Sequence, residues 1–203
     1  MFKVHATYII ALYVACELIA NVTAGKITVL GPFTVPAAIY IFALTFTLID
    51  LINEGMGKRA ARRVVYCAFA ANVLLALYSL VIVRLPSPVW FSAAKSYAEV
   101  FAVTPRIVLA SLTAFLISGL LDVELFAKLK ARLNPGWRVV ASNVVSTLVD
   151  SVVFISLAFL GSFPVGAVLM LILGQYVVKL AVTGLSVPLI YVVHASVAIE
   201  KDA

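Results

Sequence analysis

The chain has 203 residues, of which 64% are hydrophobic and 12% charged, and its mean hydropathy is +1.15. A soluble domain carries about 45–50% apolar and about 25% charged residues, so a globular core with a wettable surface is excluded. The net charge of +6, from 15 Lys and Arg against nine acids, falls in short segments between apolar runs, where it sets membrane orientation rather than recruiting nucleic acid.

No Asp, Glu, Lys or Arg occurs from Ile27 to Ile49, Val64 to Val83, Ser151 to Val178 or Leu180 to Ile199. Crossing a bilayer takes roughly 20 apolar residues. The chain therefore reads as an all-α integral membrane protein, a single membrane domain over 1–203 with six transmembrane helices. In chain order they are Val4–Ala24, Pro36–Ile52, Val64–Val83, Pro105–Ala127, Val139–Leu160 and Val165–Val193. The first lacks a short apolar core with a small-residue cleavage site and is read as a retained helix. Gly31-Pro32 and Pro36 interrupt the chain after it, Asn134-Pro135-Gly136 marks a turn before the fifth, and Gly161-Ser162-Phe163-Pro164 a tight reversal before the sixth. Between the third and fourth, Trp90, Ala94, Tyr97 and Phe101 share helical spacing, with Lys95 and Glu99 at i, i+4 on another face. That pattern predicts a short interfacial helix anchored at headgroup level.

With the N-terminus inside, the inner side collects Lys3, Lys58, Arg59, Arg62, Arg63, Lys128, Lys130, Arg132, Arg138 and Lys201, and the outer side Lys26, Arg84, Lys95 and Arg106. This bias puts both termini in the cytoplasm and the protein in the plasma or inner membrane.

Ionisable groups at membrane depth are costly and normally face a protein interior or a water-filled cavity. Glu17 and Asn21 lie i, i+4 on the first span, Asp50 and Glu54 at the inner end of the second, and Ser111, Ser118 and Asp122 on one face of the fourth. Asn143, Ser146, Thr147, Asp150 and Ser151 flank the fifth, Gln175, Lys179 and Thr183 stripe the sixth, and Asn72 and Ser79 mark the third more weakly. The economical arrangement points these stripes at one central polar cavity. Ser111, Ser146, Thr147 and Ser79 read as helix–helix hydrogen-bonding glue, whereas Asp150 and Lys179, well inside their spans, read as functional. The two are expected to face one cavity, either neutralising each other or with Asp150 reading a ligand, and the second arrangement is the one expected.

The two histidines, His5 and His194, lie near opposite ends of the chain. No His, Cys and carboxylate cluster suggests a metal, no glycine-rich phosphate loop is present, and no nucleophile has a base at hand. The chain reads as a carrier and not an enzyme, with no cofactor.

The run Asp50-Leu-Ile-Asn-Glu54-Gly-Met-Gly57-Lys58 resembles the D-x-x-x-E-x-x-G-K signature that follows the second helix of the queuosine precursor transporter family, also called vitamin uptake transporters; Gly55-Met56 stands where that family often carries an aromatic. Ala110-Ser111 to Asp122, Asn143 to Ser151, and Gln175-Tyr-Val-Val-Lys179 to Tyr191 are similar to its fourth, fifth and sixth helices. The resemblance implies uptake of 7-cyano-7-deazaguanine and 7-aminomethyl-7-deazaguanine, small-molecule bases destined for queuosine or archaeosine in tRNA. A carboxylate can accept from the N1–H and exocyclic amine of such a base as a two-point pair, with Asp150 the first candidate and Glu17 the second. Asn143, Gln175 or Lys179 would donate to the ring carbonyl, and Asn21, Asp122, Asp50 and Glu54 complete the candidate set. A second reading is the substrate-binding subunit of an energy-coupling-factor vitamin importer, also a small six-helix bundle; such subunits dock a partner through spaced alanines, present here as Ala11, Ala15, Ala20 and Ala24. A third is a membrane scaffold. Besides the lipid bilayer and its substrate, the chain leaves a homodimer open as a partner.

Overall fold

The computed structural model describes residues 2–129 and 135–200. In chain order its elements are β1 (Phe2–His5), α1 (Ala6–Thr23), β2 (Ile27–Leu30), β3 (Phe33–Pro36), α2 (Ile39–Met56), α3 (Lys58–Arg84), α4 (Ala94–Leu129), α5 (Pro135–Phe159), α6 (Val165–Ser196) and β4 (Val197–Glu200). Among the described residues, four stretches, Ala6–Thr23, Arg59–Arg84, Ala94–Leu121 and Val165–Val182, are long and apolar enough to cross a membrane, and Asn143–Phe159 is a shorter apolar one. Their outward faces carry Leu74, Leu109, Leu116 and Leu169, each well exposed. A surface of this kind needs lipid as its solvent, and helices can occupy lipid because they satisfy their own backbone. The chain is a multi-pass membrane protein.

Every expected span overlaps one helix, with three departures. First, the fold is not purely helical. β1 runs parallel to β4, Phe2 opposite Val197, so the two ends of the chain meet. β2 and β3 form an antiparallel hairpin across Gly31-Pro32, where glycine and proline read only as breaks. Second, Lys58, Arg59, Arg62 and Arg63 lie in the first turns of α3 rather than in a loop. Lys and Arg are good helix formers, and Gly57, at φ 87°, turns the chain in one residue where a side chain would be strained. Third, the expected interfacial helix is not separate: Ala94–Thr104 forms the first turns of α4, which continues through Pro105. Proline brings no N–H to that turn, and beside it the Thr104 hydroxyl donates to the Val100 carbonyl at 3.0 Å. The expected Lys95–Glu99 pair is present at 3.9 Å, and Trp90, Phe91, Tyr97 and Phe101 contact one another ring to ring.

Two apolar clusters hold the helices at opposite ends. One joins Ile9, Tyr13 and Cys16 of α1 to Leu48 and Ile52 of α2 and Ala61, Val64 and Ala68 of α3. The other joins Ala24, beyond the end of α1, to Ile107 and Ala110 of α4, Ile155 and Phe159 of α5, and Val168 and Leu171 of α6. Near the second cluster Arg106 of α4 donates to the Leu157 and Leu160 carbonyls at 2.7 and 2.5 Å and to the Ser162 hydroxyl at 3.1 Å. A cation there satisfies carbonyls that the end of α5 leaves open.

The hairpin leans on α6 at Gly174. A Cβ at that position would press into the Thr34 carbonyl and the Val35 side chain, so the missing side chain is what lets strand and helix touch. Gly174→Ala is expected to cost about 1–3 kcal/mol through overpacking and to lower the unfolding temperature of the detergent-solubilised protein. Gly166→Ala, on the same helix with open space around it, should leave that temperature unchanged.

Candidate functional site

Between the two apolar clusters lies a cavity of about 880 Å³, its open mouth included, lined by residues from all six helices and the end of β3. Asp150 comes from α5 and Lys179 from α6, which the short turn at 160–164 makes antiparallel neighbours. Lys179 Nζ donates to Asp150 Oδ2, with side-chain exposures of 9% and 21%. The Ser118 hydroxyl of α4 reaches Asp150 Oδ1 at 3.5 Å. The ammonium also sits 4.4 Å from the centre of the Phe42 ring on α2, a cation–π position that strengthens away from water. One ion pair thus ties together α2, α4, α5 and α6.

Across the cavity, Glu17 and Asn21 come from α1 one turn apart, as their spacing predicts. The Asn21 amide donates to Asn72 Oδ1 at 2.8 Å and to the Glu17 carbonyl at 3.2 Å, while the Asn72 amide donates to the Ala68 carbonyl at 2.9 Å. The Glu17 carboxylate accepts no hydrogen bond from any described residue. Gln175, one turn before Lys179, is 3% exposed and lines the cavity, yet its amide has no hydrogen-bond partner among the described residues. Buried amides are normally satisfied. Tyr13, Phe42, Phe69, Phe115 and Phe154 supply flat walls between the polar groups. The arrangement can hold a small planar molecule with hydrogen-bonding edges.

Of the residues singled out in the sequence, Asp150, Glu17, Gln175, Lys179 and Asn21 converge on this cavity. Asn143 is not among its lining residues: it lies seven positions before Asp150, about 10 Å along α5, and its carbonyl accepts from Ser146 at 3.3 Å. The side chains of Asp50, Glu54, Asp122 and Thr183 lie outside the described residues. Ser79 donates to the carbonyl four residues back on its own helix, at 2.7 Å, so its polarity is spent locally rather than across helices. Glu124 is exposed and accepts from Lys128 at 2.5 Å, which holds its carboxyl below the usual carboxylate range. Phe42 escaped notice because an aromatic in an apolar helix carries no pattern. Asn72 gave only the signal of one amide in an otherwise apolar span. The spaced alanines divide: Ala11 of α1 is exposed, whereas Ala20 of α1 and Ala24 just beyond it are buried and line the cavity, so these two do not extend an outward docking stripe.

The model of the family described as "Putative vitamin uptake transporter" matches residues 36–193 of the chain. A protein of Bacillus subtilis (strain 168) described as "Probable queuosine precursor transporter" is 30% identical, over 82% of this chain and 80% of its own length. No solved structure matches the chain.

The pairing of Asp150 with Lys179 sets a stability test. Asp150→Asn leaves a buried ammonium without its counter-charge and should destabilise the protein by about 3–5 kcal/mol. Neutralising both, as Asp150→Asn with Lys179→Met, should recover most of that loss. Thermal unfolding of the three proteins in one detergent measures it. Equal stability of all three proteins would mean the pair has no structural part.

Proposed function

Because the chain belongs to the vitamin uptake transporter family, we propose that it is a plasma- or inner-membrane importer of 7-deazaguanine bases, 7-cyano-7-deazaguanine and 7-aminomethyl-7-deazaguanine, for tRNA modification. The description of the Bacillus subtilis relative as a probable queuosine precursor transporter supports this substrate class. The observation that carries it here is the cavity in which the Glu17 carboxylate and the Gln175 amide stand without hydrogen-bond partners among the described residues.

A guanine-like base would complete those groups. Its N1–H and exocyclic amine present two parallel donors to a carboxylate, and its carbonyl accepts from an amide. In this reading Glu17 takes the base edge rather than Asp150, whose oxygens are already engaged by Lys179 and Ser118. Gln175 meets the ring carbonyl, and the aromatic walls hold the ring faces. All six helices cross the bilayer, the hairpin of β2 and β3 lies on the outer side, and both termini lie in the cytoplasm, in keeping with the distribution of Lys and Arg.

Purified protein should be stabilised against heat by both bases in a concentration-dependent way, as expected when a ligand binds only the folded state. 7-Deazaadenine, whose edge lacks the N1–H donor, should bind at least about 100-fold more weakly. Cells that lack both their own transporter and precursor synthesis should regain modified tRNA when this protein is expressed and base supplied. Stabilisation by a vitamin and by no deazaguanine would overturn the reading. For topology, single cysteines at Ser87 and Asn134, in a background without Cys16 and Cys67, should differ on intact cells: an impermeant thiol reagent labels Ser87→Cys and spares Asn134→Cys.

A further inference from the structure

The charges of the cavity do not balance. Glu17 from α1 and Asp150 from α5 face one cation, Lys179 from α6, and no further Asp, Glu, Lys, Arg or His occurs among the described lining residues. Tyr13 is the remaining titratable group on the wall. Lys179 donates to Asp150, at 9% side-chain exposure, and its one charge also acts on Glu17. With both carboxyls ionised, the set is one positive charge short, in a setting where water screens poorly and a lone charge is costly. Gln175 gives an independent sign that a ligand completes the site: the residue is 3% exposed and lines the cavity, and its amide has no hydrogen-bond partner among the described residues.

We propose that the missing positive charge is supplied by the ligand, so that the cavity selects a base bearing a protonated amine over a neutral analogue of the same ring. This deepens the functional reading given above and rests on it. An amine on a methylene carbon is protonated at neutral pH, as the lysine side chain is, whereas a nitrile carries no charge. A cationic base brings to the cavity both the donors that Glu17 accepts and the positive charge by which the two carboxyls exceed Lys179. A neutral base brings only the donors. Discrimination then comes from the charge balance of the whole cavity rather than from a contact to the substituent alone, because charge interactions in a poorly screened site act beyond hydrogen-bond range.

The test compares dissociation constants of 7-aminomethyl-7-deazaguanine and 7-cyano-7-deazaguanine at pH 7, measured by titration calorimetry on the full-length protein in lipid nanodiscs. The aminomethyl base should bind about tenfold more tightly or better. Glu17→Gln should weaken both and bring their ratio close to one. Gln175→Ala, which leaves the charge balance alone, should weaken both bases while keeping the ratio. The double variant Asp150→Asn with Lys179→Met removes one charge of each sign and should keep the preference as well. Equal affinities in the unaltered protein, or a preference that survives Glu17→Gln, would refute the proposal. If Glu17→Gln does not fold, loss of the preference in the double variant refutes it instead. Binding of both bases without preference leaves the substrate class standing and removes only this inference, whereas binding of neither removes both.

Discussion

A charge placed in lipid must find a partner, and the pairing of Lys179 with Asp150 is where this protein meets that requirement. The pair joins adjacent antiparallel helices, draws Ser118 from α4, and seats the ammonium over the Phe42 ring of α2. Four of the six helices therefore meet at one polar point inside a shell whose outer face is apolar. An apolar pair of similar volume would pack there without the desolvation cost that ions carry. Its position on the cavity wall gives the charges a reason to be kept: they set the electrostatic balance that any occupant meets.

Around that point the fold separates packing from polarity along the helix axes. The cluster of Ile9, Leu48, Ile52 and Val64 closes one end, and that of Ile107, Ile155, Phe159 and Leu171 the other. The polar groups lie between them. Lipid is as apolar as leucine, so helices in a membrane gain little from burying apolar surface against each other and associate through close contact and hydrogen bonds. Both devices appear here. Asn21 and Asn72 join α1 to α3, Gly174 lets β3 touch α6, and Arg106 fastens α4 to the end of α5. Gly174 and Gln175 are consecutive, so the contact that seats the hairpin also fixes the turn of α6 that turns its amide to the cavity.

Membership of a vitamin uptake transporter family and this cavity agree on a small-molecule carrier and bear on different parts of the argument. The family match concerns what kind of protein the chain is. The cavity concerns how it could choose a substrate: one carboxylate and one amide without hydrogen-bond partners among the described residues, flat aromatic walls, and an ion pair between neighbouring helices. A carrier must bind well enough to select and loosely enough to release. Hydrogen bonds that a ligand completes, in place of a fully satisfied polar network, suit that demand because the empty site is left incomplete.

The sequence by itself determined that the chain belongs in a membrane, that apolar helices make up most of it, and which helices carry polar stripes. These follow from short-range facts: uncharged runs of span length, and residues three or four apart sharing a helix face. Glu17 with Asn21 and Gln175 with Lys179 were legible for that reason. The tertiary structure alone decided which stripes meet. Asp150 lies 29 positions from Lys179 and Asn21 lies 51 from Asn72, and no helical periodicity relates groups on different helices. It also decided that Gly31-Pro32 closes a hairpin, that α3 begins at Lys58, and that Ala94–Thr104 joins α4. The hairpin turns on packing against a distant segment: a backbone that reads as a break in isolation becomes ordered when a neighbour such as Gly174 leaves room for it.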